Sequence, residues 1–147
     1  MADVLDCRLG GWRTARVVGV KYCTLDSWVR TGLLPKPAIP GRGKGSRRGF
    51  SFVDLIRART VARLRQEGVS LQTIRKVVRT LSEQYCVGDP LAQTADLVVA
   101  GGEVFWATDE VTLLNVLRQQ LAARPLVLVD MSELVADTAA KVEAIYA

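Results

Sequence analysis

The chain has 147 residues, of which 49% are apolar and 24% charged, so it can bury a core and is not disordered by composition. It has no apolar run of the ~18 residues that a membrane span needs, and no signal segment opens it, which predicts a soluble cytoplasmic protein. The three cysteines are widely spaced and histidine is absent, so the usual acid–base group and zinc ligand is missing. We therefore expect no catalytic site, no cofactor and no metal site.

The charges are distributed unevenly along the chain. Residues 1–87 hold seventeen Lys/Arg against six Asp/Glu, a net charge of +11, whereas residues 88–147 hold three against nine, a net charge of −6. Fifteen of the twenty basic residues are arginine, which suits bidentate contacts to phosphate. This asymmetry predicts a polyanion-binding domain over 1–87 and a domain with another role over 88–147, divided near Gly88 and Pro90. A basic, merely solvated face is the alternative.

The first elements indicate two short helices joined by a tight turn. Thr14–Val18 is predicted as a helix with Thr14 as its N-cap, and Gly19 makes the turn. Lys21–Thr31 is predicted as a second helix that ends at Gly32 and carries one apolar face, formed by Leu25, Trp28 and Val29. Two helices around a glycine-containing turn are typical of a helix-turn-helix.

Between Pro35 and Phe52 the sequence predicts an extended basic loop that returns as a strand. Three prolines keep its first half extended, and Arg42 and Lys44 lie at its glycine-rich tip. An ordinary glycine-rich linker is the alternative. Two helices follow. The first, over Val53–Glu67, is predicted to face inward with Leu55, Ile56, Val61 and Leu64. The second, over Leu71–Tyr85, is capped by Ser70 and has an apolar stripe formed by Leu71, Ile74, Val77, Val78 and Leu81.

The second part is predicted to be a small α/β domain. Gly101-Gly102 joins two strands, Leu97–Ala100 and Glu103–Ala107, as a hairpin. A helix over Val111–Leu121, a central strand over Leu126–Val129 and a helix ending near Ile145 complete it. About sixty residues make a marginal core, so we expect a second copy of the chain to complete it. The predicted interface residues are Leu97, Val99, Phe105 and Trp106; a core role for the two aromatic residues, or an effector pocket around them, stays open.

The first part resembles the MerR-type winged helix-turn-helix family from about Trp12 to Tyr85. The resemblance lies in "VKYCTLDSWVRTGLLPKP", in the loop ending "SRRGFSF", and in "VDLIRARTVARLRQEGVSLQTIRKVV", which occur in the family's order and spacing. It implies a mostly helical DNA-binding head. The predicted fold class is therefore α+β, a winged helix-turn-helix head followed by a small α/β dimerisation or interaction domain.

The resemblance also implies roles for individual residues. Base edges in the major groove would be read by Lys21, Tyr22 and Thr24. DNA phosphates would be bound by Arg16, Trp28, Arg30, Arg42, Lys44, Arg47 and Arg48.

The sequence departs from the family pattern at three points. Asp26 stands where members often carry arginine, and Gly88 and Pro90 rule out the long coiled-coil helix through which they usually dimerise. Metal sensing by cysteine does not carry over, because the cysteines form no C-x-x-C pair. We expect each to be a small buried apolar residue: Cys7, Cys23 and Cys86.

These observations favour a sequence-specific, double-stranded DNA-binding transcriptional regulator of a prokaryote, acting as a cytoplasmic, nucleoid-associated homodimer with no membrane partner. The alternative is an antitoxin-type protein that represses its own operon and neutralises a toxin partner through its acidic C-terminal part. An excisionase-like or architectural DNA binder is a third hypothesis. No nucleophile–base pair that would indicate an enzyme occurs in the sequence.

Overall fold

The computed structural model describes residue 5 and residues 7–37, 49–85 and 95–146. A helical N-terminal region is followed by a small antiparallel sheet with further helices, which confirms the α+β class. In chain order the elements are α1 (Gly11–Val18), α2 (Tyr22–Arg30), α3 (Phe52–Gln66), α4 (Leu71–Gln84), β1 (Asp96–Ala100), β2 (Glu103–Ala107), α5 (Glu110–Gln119), β3 (Leu126–Asp130) and α6 (Met131–Tyr146).

The chain forms two compact units. One contains residues 1–62 and 137–147, and the other contains residues 63–136, so α3 and α6 contribute residues to both. The predicted domain boundary near Gly88 lies outside the described residues and stays a prediction. None of the helices in the described ranges is long and apolar enough to cross a membrane.

In the first unit, α1 starts earlier than the sequence suggests. Gly10 is its N-cap, in an extended conformation, so the prediction that Thr14 caps this helix is wrong. Thr14 is instead fully buried in the second turn, where its hydroxyl donates to the Leu9 carbonyl at 3.5 Å. Thr14 lies inside the helix, where its N–H donates to the Gly10 carbonyl at 2.9 Å, so it is not at the position of the cap. Leu9 is held in place by a short antiparallel bridge to Phe50.

Helix α3 begins with a reciprocal capping arrangement. The Ser51 hydroxyl accepts from the Asp54 N–H at 3.2 Å, and the Asp54 carboxylate accepts from the Ser51 N–H at 2.9 Å. Its inward residues Leu55 and Ile56 are fully buried, as the sequence predicts. Within this unit, Arg59 binds the Asp137 carboxylate at 2.7 Å, which joins α3 to the middle of α6.

The second unit contains a three-stranded antiparallel sheet in the order β2-β1-β3. The predicted hairpin is confirmed, because Gly101 and Gly102 turn the chain with φ of 57° and 84°. Prediction of a central strand over Leu126–Val129 is wrong, since β1 lies in the centre and β3 at an edge. Residues 97–100 of β1 are completely buried, whereas Leu128 of β3 is 41% exposed.

Helix α4 packs on this sheet and begins as predicted. The Ser70 hydroxyl accepts from the Thr73 N–H at 3.3 Å, which confirms Ser70 as the N-cap. Tyr85 lies edge-on to Trp106 with ring centroids 5.8 Å apart. Leu71 is the exception in the predicted apolar stripe of α4, because it is 47% exposed.

Candidate nucleic-acid interface

The turn between α1 and α2 fixes which face of α2 points outward. Gly19 has φ of 84°, a conformation that glycine adopts without strain, and its N–H donates to the Ala15 carbonyl at 2.8 Å. Leu25 is fully buried and anchors one side of α2. The opposite side carries exposed Cys23 and Arg30, with the partly exposed side chains of Asp26 and Ser27 between them. We call residues 23, 26, 27 and 30 the outer face of α2, because they lie on the side of the helix away from Leu25 and each is at least partly exposed.

Two of the three predicted base-reading residues lie together at the start of α2. Lys21 is the exposed N-cap residue, and its side chain makes no capping hydrogen bond. Tyr22 follows at the first helical position and is half-buried. Thr24 lies about 200° around the helix from Tyr22, since successive residues are spaced about 100° apart, and it is also half-buried.

The structure adds an aromatic pair that sequence reasoning missed. Trp12 of α1 stacks on Tyr22, with ring centroids 4.5 Å apart and an angle of 16° between the planes. Trp12 nevertheless remains 73% exposed. Gly11 leaves room for the Tyr22 ring, because a Cβ atom at this position would overlap it. One feature could have indicated that Trp12 does not belong to the core: it lies outside the inward side of α1, which is formed by residues 14, 15, 17 and 18.

The predicted phosphate-binding residues within the described ranges differ in their exposure and in whether they already have an ion-pair partner. Arg16 is exposed and has no ion-pair partner there, whereas the Arg30 guanidinium binds Asp26 at 2.8 Å. Trp28 is half-buried, and its carbonyl accepts from the Leu34 N–H at 3.1 Å. The four residues of the predicted wing lie outside the described residues: Arg42, Lys44, Arg47 and Arg48.

A basic groove of about 480 Å³ lies beside α1, within the first unit. Arg13 and Arg16 of α1 and Lys141 of α6 line it, and none of the three has an ion-pair partner in the described ranges. Its apolar wall is formed by Val17, Ala144 and Ile145. Sequence reasoning missed Arg13 and Lys141, because Lys141 lies in the acidic part of the sequence.

The two described cysteines lie in different environments. Cys7 is buried, and burial raises the pKa of its thiol to about 11. Cys23 is exposed on the outer face of α2, so the expectation that it is buried is wrong; it lies on the side of the helix opposite Leu25. Cys86 lies outside the described residues. The described residues contain no group of three or more His, Cys, Asp or Glu side chains that could hold a metal ion.

The residues predicted to form a dimer interface lie in or beside the sheet. Leu97 and Val99 are completely buried within the second unit, and Phe105 and Trp106 are half-buried. Their role in an interface stays a prediction.

Comparison with known proteins identifies the head. Residues 13–81 match the model of the family described as MerR HTH family regulatory protein. These residues form a MerR-type helix-turn-helix domain. The recognition made from the sequence motifs is thereby confirmed, and this MerR-type head contains most of α1, all of α2 and α3, and most of α4.

The curated relatives are uncharacterized HTH-type transcriptional regulators of Mycobacterium bovis and of the CDC 1551 and H37Rv strains of Mycobacterium tuberculosis. Each is 34% identical over 85 residues, which are 56% of this chain and 38% of the relative. The chain thus matches well under half the length of these proteins. Their names describe transcription regulators, not enzymes.

Proposed function

We propose that this protein is a sequence-specific, double-stranded DNA-binding transcriptional regulator that acts as a homodimer. The observation that carries the proposal is the outer face of α2, whose residues are all at least partly exposed in a MerR-type head. A helix presented in this way can enter the major groove, where each base pair displays a distinct set of donors and acceptors.

Base reading is assigned to the start of α2. Lys21 and Tyr22 offer hydrogen-bond donors at the exposed N-terminal end of the helix, and Thr24 is retained from the family resemblance as a third reader. Asp26 adds an acceptor suited to a cytosine amino group. Because its ion pair with Arg30 offsets the carboxylate charge, Asp26 can approach a phosphate backbone with less repulsion.

Phosphate binding is assigned first to Arg16, which lies in the basic groove beside α1 and has no ion-pair partner in the described ranges. Trp28 and Arg30 of α2 are retained from the family resemblance as further candidates, although Arg30 already binds Asp26. From the resemblance, Arg42, Lys44, Arg47 and Arg48 would hold the backbone from the wing. Each phosphate contact releases condensed counterions, so it contributes about 0.9 to the slope of log K against log salt concentration.

The first experiment separates base readers from phosphate binders. Affinities of the full chain and of Lys21→Ala and Tyr22→Ala are measured across a library of randomised duplexes. We expect each change to alter the preferred base at one position, and loss of a good bidentate contact costs about 1–3 kcal/mol of discrimination. A uniform loss over all sequences would contradict base reading by these residues.

The second experiment uses salt dependence with a matched control. Arg16→Ala should lower the salt slope by about 0.9 without changing sequence preference. Arg63→Ala is the control, because Arg63 is similarly exposed on a helix but already binds Glu67 at 3.4 Å. Equal slopes for the wild type and Arg16→Ala would show that Arg16 does not bind phosphate.

A homodimer accounts for how one short helix could select a site. Two heads related by a two-fold axis would read two half-sites about 34 Å apart, or a multiple of that distance, on a pseudo-palindromic duplex. Footprinting of the full chain on its selected site tests this, and protection of a single, asymmetric half-site would contradict it.

An antitoxin role is the second candidate. From residue 95 to residue 146 every acidic side chain except the partly exposed Asp96 is exposed, and hydrogen bonds lower the pKa of the Asp109 and Asp130 carboxyls. Such a surface stays ionised at neutral pH and suits a basic protein partner. Co-expression with the product of the neighbouring gene tests the idea: a stable complex that weakens with salt supports it, and separate elution contradicts it.

A further inference from the structure

Helix α5 leaves large apolar side chains in solvent. Every residue of α5 is described, and none is buried. Val111 is 69% exposed, Leu114 is 54% exposed, and Leu121, just beyond the helix, is 66% exposed. Clustered exposure of this kind on one element is typical of a surface that another molecule covers.

These residues form a stripe that has one charge within it and an opposite charge beside it. Residues 111, 114 and 118 are spaced by three and four positions, so they lie on one side of α5, and Leu121 follows three residues later, just beyond the end of the helix. Arg118 falls within this stripe, and Glu110 borders it at the other end of α5. We call residues 110, 111, 114, 118 and 121 the α5 face.

Neither charged residue of the α5 face has an ion-pair partner among the described residues. No ion pair in the described ranges involves Glu110 or Arg118, whereas the neighbouring Asp109 is occupied as the N-cap that accepts from the Thr112 N–H at 2.7 Å. Elsewhere in the chain, exposed charges four residues apart do pair, as Arg63 and Glu67 do at the end of α3. The eight-residue spacing between Glu110 and Arg118 is too long for a pair within one helix, since it spans roughly 12 Å.

That spacing fits a symmetric pair of helices. Leu114 lies four residues after Glu110 and four before Arg118. If two copies of α5 run antiparallel about a two-fold axis at Leu114, residues equally distant from Leu114 on either side come to the same level. Glu110 of one copy then lies level with Arg118 of the other, at both ends of the pair. A parallel arrangement would bring like charges together instead.

We propose that the α5 face is where two copies of this chain meet, as an antiparallel helix pair centred on Leu114. The inference rests on the homodimer in the proposed function and deepens it by naming the contact surface. Charge complementarity selects a second copy as the occupant, because the face complements itself under the two-fold operation. The apolar residues supply the buried area, and the two symmetric ion pairs fix the register and direction.

A charge-reversal experiment on the full chain tests the pairing. A helix face of this size is small for an interface, so we expect a micromolar dimer, measured by sedimentation equilibrium from about 1 to 300 µM. Glu110→Arg or Arg118→Glu alone places like charges at both levels and should weaken the dimer about tenfold or more. The variant carrying both changes restores opposite charges and should recover most of the wild-type affinity.

Control variants separate the effect of the ion pairs from effects of added charge, apolar contact and folding. Gln119→Arg adds a positive charge to an exposed position of α5 outside the stripe and should leave the dimer constant unchanged. Leu114→Ser should weaken the dimer independently of charge, and thermal melts of each variant show that it is folded. Failure of the doubly reversed variant to recover, or equal dimer constants for all variants, would overturn the α5 assignment while leaving the proposed homodimer in place.

A wild-type chain that is monomeric throughout the concentration range would overturn both the α5 pairing and the homodimer. DNA binding by the head is judged separately from the base-preference experiment on Lys21 and Tyr22. The α5 pairing, the homodimer and DNA binding by the head are therefore each refuted by a different result.

Discussion

Removing the Trp12 side chain tests whether the aromatic stack prepares Tyr22 for DNA. Because Trp12 is 73% exposed, the Trp12→Ala change removes little buried surface, and its main effect is loss of the stack. With ring centroids 4.5 Å apart, such a pair contributes about 0.5–1.5 kcal/mol. We therefore expect the free energy of unfolding to fall by about that amount, measured by urea titration.

The effect on DNA binding follows from the same contact. Immobilising a mobile side chain at an interface costs about 0.5–1.5 kcal/mol. Because the stack with Trp12 already holds the Tyr22 ring in the protein without DNA, this cost does not reduce the binding affinity. Trp12→Ala should thus weaken binding to the selected site by about 2- to 12-fold. Fluorescence anisotropy with a labelled duplex measures the change, and Leu71→Ala serves as a control because Leu71 is another large apolar residue, 47% exposed.

A double-mutant cycle decides whether Trp12 acts through Tyr22. If it does, Trp12→Ala should have little further effect on DNA affinity once Tyr22 is replaced by alanine, so the two losses do not add. Fully additive losses would refute the reasoning, since they would mean that Trp12 contributes to binding independently of Tyr22.

Three further predictions concern stability and reactivity. Ser51→Ala should lower the free energy of unfolding by about 1 kcal/mol, because it removes the cap of α3, and Ser51→Thr should retain most of it; thermal melts measure both. Tyr85→Phe should leave stability unchanged or raise it, since the Tyr85 hydroxyl is buried and has no hydrogen-bond partner among the described residues; loss of more than about 1 kcal/mol in a urea titration would contradict this. Iodoacetamide at pH 8 should label Cys23 far faster than Cys7, because the pKa of about 11 keeps Cys7 a thiol; peptide mapping by mass spectrometry measures this labelling. The stability linked to the raised pKa of Cys7 is present below pH 9 and is lost as the pH rises towards 11.

Features set by a few neighbouring residues could be predicted from the sequence. Ser70 caps α4 because its hydroxyl reaches an N–H three residues away, and Gly101-Gly102 turns the hairpin because both residues need positive φ. The MerR-type head was recognisable because its motifs occur in a fixed order along one stretch. In each case the physical cause lies within a short window of the chain.

Features set by distant residues could not be predicted. The apolar run Leu126–Val129 is compatible with a central or an edge strand, and the choice depends on β1 pairing on both sides. Trp12 and Tyr22 stack because α1 and α2 fold against each other, which helical periodicity does not encode. Arg59 meets Asp137 because residues from 137 onward belong to the first unit, although the two lie far apart in sequence.

The net charge of the head is therefore a poor guide to which cations can bind DNA. On α3, Arg57 binds Asp54 at 3.1 Å and Arg59 binds Asp137 at 2.7 Å, so both guanidinium groups already have carboxylate partners. Lys141 shows the opposite case, because it belongs to the acidic half of the sequence yet lines the basic groove beside α1. Since a cation already paired with a carboxylate gains less from a phosphate, the strength of DNA binding should follow the unpaired cations around α1 and α2 rather than the total charge.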